Sequence, residues 1–170
     1  MKKELAAHLE SNKDILIAEW QRRVISIWQE RLASERLSSG LGSRETSCDY
    51  SYSRHLSELV HWFYNDLLSL LQPGSKKEHI GEKLPHYMPD GARFTLPNLL
   101  EIFALGEEAL AQSLLLDRIA PHPFQSFQAL TAFEEVRETM RKVALHHADI
   151  LCSECAGPLT KVLKRITQKK

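Results

Sequence analysis

The chain has 170 residues and a mass of 19.5 kDa, with 22 Lys and Arg against 22 Asp and Glu and a pI near 7.1. That size suits one domain whose core buries roughly 70% of the unfolded surface, and 43% hydrophobic with 26% charged residues excludes a disordered or collagen-like chain. Balanced charge argues against a dedicated nucleic-acid binder, and no apolar run approaches the roughly 20 residues that cross a bilayer.

Residue usage predicts an all-α fold. Leu occurs 26 times and Ala 14, whereas β-branched Val occurs five times, and no stretch alternates with period two. Residues 2–10 read as a short first helix. Ser11-x-x-Asp14 has the form of a capping box, with Asp in place of Glu or Gln, and opens a helix to about Ala33. Its apolar positions are Leu16, Ile17, Trp20, Val24, Ile27 and Trp28. Ser38 to Ser43, with Gly40 and Gly42, reads as a loop.

The next helix spans about 51–72, with Leu56, Leu59, Val60, Phe63, Leu67 and Leu70 as its stripe and Pro73-Gly74 as its end. A long polar connection, Ser75 to Phe94, is broken by Pro85, Pro89 and Gly91. Thr95 with Pro97 starts a third strong helix whose core face is Leu96, Leu99, Leu100, Phe103, Leu110 and Leu114. After Pro121 and Pro123, a helix from about Phe124 to Leu151 presents Phe133, Met140, Ala144 and Leu151. Gly157-Pro158 is expected to break the pattern, leaving one domain over 1–157 and a basic tail over 158–170 that interleaves Lys161, Lys164 and Arg165 with apolar residues. The layout is a globin-like stack or an antiparallel four-helix bundle.

Few constellations carry chemistry. Cys152-Ser-Glu-Cys155 has no second CxxC to complete a zinc site and no strand-to-helix setting for thiol exchange; with Cys48 it makes an odd, sparse set unlike a secreted disulfide scaffold. Glu58-Leu-Val-His61 is a single Glu-x-x-His where a di-iron bundle needs two, and it falls opposite the Leu59/Phe63 stripe, toward solvent. A haem globin would need an axial histidine; His86, flanked by Pro85 and Pro89, and His79 are the candidates. No nucleophile elbow, Walker loop, dinucleotide fingerprint or zincin motif is present.

Two ionisable residues sit on apolar stripes: Glu107, for which Arg137 is the partner nearest in level, and His147. With Trp28, a large aromatic on such a stripe, they are the candidate interface or pocket positions. Glu107 and His147 are expected at different levels, so that they do not meet.

Leu16-Ile-Ala-Glu-Trp20-Gln-Arg-Arg-Val24 and the segment Gly91-Ala-Arg-Phe94-Thr-Leu-Pro-Asn-Leu99-Leu100-Glu-Ile-Phe103-Ala-Leu-Gly106-Glu-Glu-Ala-Leu110 together resemble the N-terminal domain of RsbR/RsbRD-type proteins, the regulators that build bacterial stressosomes, over roughly residues 5–155. The resemblance implies a globin-like, dimeric input module that binds no haem. The family's members continue into a STAS output domain with phosphorylatable residues; the chain as given has no counterpart of it, and no family catalytic residue carries over. The expected function is therefore a non-catalytic signalling module, cytoplasmic because no apolar leader follows Met1-Lys2-Lys3, acting as a homodimer on a protein partner without cofactor, metal, membrane span or nucleic acid. A haem or small-ligand sensor and a redox or metal protein using the CxxC are the rival readings.

Overall fold

A chain rich in Leu and Ala favours helices, and the computed structural model of the protein, which describes residues 2–39, 47–72, 94–116, 124 and 126–167, contains helices and no strand among them. The elements are α1 (Lys2–Ser11), α2 (Lys13–Ser39), α3 (Ser47–Leu71), α4 (Leu96–Leu116) and α5 (Ser126–Thr167). The fold class is all-α, and no helix of the described residues is long and apolar enough to cross a membrane.

Three boundaries differ from the expectation, each for a local reason. Ser11 ends α1 instead of capping α2, and Asn12 makes the turn. The Asn12 backbone and side-chain amides both donate to the His8 carbonyl, at 3.1 and 2.9 Å, while the Asn12 carbonyl accepts from Leu16 at 3.0 Å. The helical ladder thus passes through the turn, and no capping box is needed. Helix α2 also runs past Ala33 to Ser39. The hydroxyls of Ser34 and Ser38 donate to the carbonyls four residues back, at 2.9 and 2.8 Å, so serines that read as loop formers are held inside the helix. Finally, α5 continues through Gly157-Pro158 to Thr167. A proline removes one ladder bond and costs about 3 kcal/mol in a helix interior, yet the helix spans it. The side chains of Lys161, Lys164 and Arg165 lie outside the described residues.

The start of α4 is as expected. Thr95 caps it, donating from its backbone N–H (2.9 Å) and its hydroxyl (2.6 Å) to the Asn98 side-chain oxygen, and its carbonyl accepts from Leu99 (3.1 Å). This is the returning half of a capping box, with Asn in the position usual for Glu or Gln and the Thr95 hydroxyl turned to the Asn98 side chain.

Four long helices form a ring of neighbours, α2 on α3 and α4, and α5 on α3 and α4, with α1 laid against α2, α3 and α5. Helices α2 and α4 are antiparallel, because Arg23 reaches Glu108 and Gln112 while Arg31, further along α2, reaches back to Glu101. Helices α4 and α5 are antiparallel as well. Phe103 and His147 both touch the Phe63 ring, but Glu107, further along α4, meets Arg137, earlier in α5.

The core follows most of the expected stripes: Leu16, Ile17, Trp20, Val24 and Trp28 from α2, Leu56, Leu59, Val60, Phe63 and Leu67 from α3, and Phe133, Met140 and Leu151 from α5 are buried. The α4 stripe is turned from the expected one. Leu96 and Leu100 are exposed, and Ile102, Gly106, Ala109 and Ser113 take the buried centre. The cause is Trp20, whose indole lies flat on α4. A Cβ placed on Gly106 would stand 2.3 Å from an indole carbon. The indole N–H, fully buried, donates to the Ile102 carbonyl at 2.8 Å. At the other side of the core the buried Tyr64 hydroxyl donates to the Leu9 carbonyl at 2.9 Å, and burial pushes its pKa well above the ordinary 10.0.

Gly106→Ala forces the Trp20 ring out of place. It should destabilise the fold by about 1–3 kcal/mol, lowering Tm by at least about 3 °C in calorimetry, whereas Ala104→Gly on the exposed face of α4 should cost no more than about 1 kcal/mol.

Candidate functional site

Helix α3 is buried along a wide face, and Asp66 falls on it three residues after Phe63 and next to Leu67. Helix α5 carries His147 on its buried face, four residues after Val143 and four before Leu151. The two side chains meet where the helices pack. His147 Nε2 lies 2.8 Å from Asp66 Oδ2, with the imidazole 2% and the carboxyl 8% exposed. The Phe63 ring covers the imidazole, centroids 4.9 Å apart at 59°, and Phe103 lies against Phe63 at 4.7 Å. His146 meets the other side at 5.6 Å, edge to face. His147 Nδ1 is buried with no hydrogen-bond partner.

An imidazole oriented by a carboxylate is the arrangement that general-base chemistry uses. Here aromatic walls and near-complete burial keep it from any outside substrate, so it is a sealed polar pair within a hydrophobic seam. The carboxylate and Nε2 answer each other, and neither group tolerates being left alone at that depth.

The three positions singled out in the sequence fall in different places. Trp28 belongs to the hydrophobic core. Glu107 pairs with Arg137, as its level predicted, with Oε1 2.6 Å from Arg137 Nε, but the pair is about one-third exposed instead of buried. Gly106 takes the centre of the α4 stripe, which leaves Glu107 at its edge. His147 is buried as expected, and its partner Asp66 is the residue that the sequence reading missed. The available signal was an acid three residues after Phe63 on the same stripe as Leu59, which had to find a base.

The remaining candidates separate cleanly. Glu58 and His61 are exposed, as expected. Cys152 is an exposed free thiol, and the side chains of Cys48 and Cys155 lie outside the described residues. His79 and His86, with most of the 75–94 connection, also lie outside them; Phe94 at its end is buried. Among the described residues no group of three or more His, Cys, Asp or Glu is gathered to hold a metal ion.

On the outer side of the α4–α5 pair Leu100 (51%), Phe127 (81%), Leu130 (49%) and Leu145 (65%) stand in solvent, with the charged Glu134, Glu138 and Arg141 among them. No protein-family model matches the chain, and comparison with curated proteins and with solved structures returns no match.

Two measurements test this site. Asp66→Ala strands the imidazole and should cost about 3–5 kcal/mol in denaturant unfolding, while Asp66→Leu combined with His147→Phe should cost clearly less than the two single changes summed. On α3, the half-buried His55 has its pKa pushed below the ordinary 6.5 by burial, against the opposing charge of Glu58. The unfolded chain therefore binds this proton more readily, so stability falls as pH drops through 6.5 toward the lowered folded value. His55→Gln should flatten that part of the Tm–pH curve.

Proposed function

We propose that the chain is a non-catalytic regulatory module of the cytoplasm that works as a homodimer and passes a signal to a protein partner. The reading is the one implied by the resemblance of residues 16–24 and 91–110 to the N-terminal domain of RsbR/RsbRD-type stressosome regulators, including its globin-like packing without haem. The observation that carries it is the division of the chemistry between inside and outside. The carboxylate–imidazole pair that would serve catalysis is sealed, whereas Leu100, Phe127, Leu130 and Leu145 are offered to solvent on one side of the molecule. Scattered single apolar residues are ordinary on a surface; several on the same pair of helices mark an interaction face.

Signal transfer in this reading is a repacking of helices. Asp66 and His147 tie α3 to α5 from the inside, and α5 carries the exposed Phe127, Leu130 and Leu145 on its other side. A small rotation of α5 that strains the inner pair also turns the outer stripe, which is how a bistable helix seam converts a local event into a changed surface.

Sedimentation velocity at tens of micromolar should give a species of twice the 19.5 kDa chain mass. A monomer at that concentration overturns the dimer reading.

A further inference from the structure

The face of α3 that holds Asp66 carries a second ionisable group at its other end. His55, Leu59, Trp62 and Asp66 follow one another at intervals of four, three and four residues. At about 100° per residue they share one sector about 60° wide. Asp66 faces α5, where it meets His147, while Ser57 accepts from Gln21 of α2 at 3.0 Å on the opposite side of α3. Helix α3 runs against α2, since Tyr64 meets Leu9 and the earlier Ser57 meets the later Gln21. Helix α5 shares the direction of α2, because both oppose α4, so it also runs against α3. Counted back from the Asp66–His147 contact, His55 stands level with about residue 158 of α5.

The two ends of this stripe hold an imidazole in different ways. His147 has the Asp66 carboxylate in contact, so a proton gained by that ring is balanced where it sits. His55 is half-buried, and its Nε2 is buried with no hydrogen-bond partner. On a neutral ring that nitrogen is an idle acceptor; protonated, it becomes a charged donor with nothing to receive its hydrogen. Burial holds the pKa of this ring below the ordinary 6.5, against the weaker attraction of Glu58. Glu58 itself is exposed and paired with Arg54 at 3.1 Å. On α2, Arg22 and Arg23 stand near this level, but Arg22 is turned to Glu19 and Arg23 to Glu19 and Glu108. The acid of α1 on this side, Glu10, acts on Tyr64, further along α3. The side chains of Glu154 and Lys161, at neighbouring levels of α5, lie outside the described residues.

Helix α5 is weakened at the same level. Pro158 has no N–H to close the ladder on the Glu154 carbonyl, and Gly157 beside it has poor helix propensity. The seam is thus pinned by Asp66 and His147 and loosest opposite His55. We infer that protonation of His55 releases the first half of α3 from the end of α5, with the Asp66–His147 pair remaining closed as the pivot. This rests on the regulatory reading above and supplies its input, the proton. Well above pH 6.5 the ring is neutral whether held or released, and the seam is closed. As pH falls through 6.5 the released ring takes up a proton before the held one does, so opening grows until the held ring titrates as well.

The test is amide hydrogen exchange of the full chain, read residue by residue by NMR as protection factors at about pH 7.5 and about pH 5. Protection over residues 55–60 should fall at least about fivefold on acidification, while residues 67–71 stay within about twofold. His55→Leu, which cannot titrate, should hold the same protection at both pH values. His55→Gln is the second non-titrating variant, with circular dichroism as the check on folding. Glu154→Gln should leave the fall in place. No fall in the parent, or one that persists in both His55 variants, overturns the inference. An equal loss along the whole of α3 is global unfolding and overturns it too, and a fall abolished by Glu154→Gln moves the sensing group to α5. Sedimentation at both pH values separates this from the dimer reading. A monomer that keeps the local fall overturns the dimer and leaves the release standing, whereas a dimer without the fall overturns the release alone.

Discussion

The indole of Trp20 rests on the backbone of α4 in the space where a side chain at residue 106 would be, and the packing of the other helices follows from that approach. With a hydrogen atom in place of a Cβ, Gly106 lets α2 and α4 close together, and the buried indole N–H finds the Ile102 carbonyl at 2.8 Å. In a regular helix that carbonyl also accepts the N–H four residues on, so Trp20 is satisfied without breaking the α4 ladder. The glycine costs about 1 kcal/mol of helix propensity relative to Ala, far less than displacing a buried tryptophan. From Trp20 a series of ring contacts crosses the whole interior: Trp20 to Phe103, Phe103 to Phe63, and Phe63 to His147. One contiguous route of packed rings thus joins α2, α4, α3 and α5.

Polar groups at the helix seams are treated according to depth. Tyr64 and Trp20 spend their single donors on backbone carbonyls. Asp66 and His147, both buried, are matched to each other, while Glu107 and Arg137 remain partly in water. A sealed pair adds little stability over apolar residues of the same volume. Its effect is on geometry, because α3 and α5 have one relative position in which neither group is buried alone. In the proposed module this makes the α3–α5 seam the place where a small displacement is felt most sharply. The exposed Leu145 is two residues from His147 on the same helix.

Several features were legible before any tertiary information. The 3.6-residue spacing of Leu16, Trp20 and Val24, or of Leu56, Leu59, Val60 and Phe63, is a property of one rod, and those residues are buried. The Thr95 start of α4, the outward placement of Glu58 and His61 and the Glu107–Arg137 level also follow from local chemistry and rise per residue. The errors lie where local signals compete. Ser11 and Asp14 look like a cap, but Asn12 carries the ladder through the turn by bonding the His8 carbonyl and the Leu16 N–H, and the serines after Ala33 bond within the helix they were expected to end.

The sequence by itself determined that this chain makes amphipathic helices, and which residues lie along each apolar stripe, because both depend on spacing and backbone preference within a single segment. It did not determine how far each rod is turned about its own axis or which polar group on a neighbouring rod meets a buried one. Leu96 and Leu100 were therefore placed inside when they are outside, and Asp66 was overlooked as the partner of His147. The turn of α4 follows the fit of one bulky ring against one bare stretch of backbone, between residues 86 positions apart in the chain, and the buried pair follows the packing of α3 on α5.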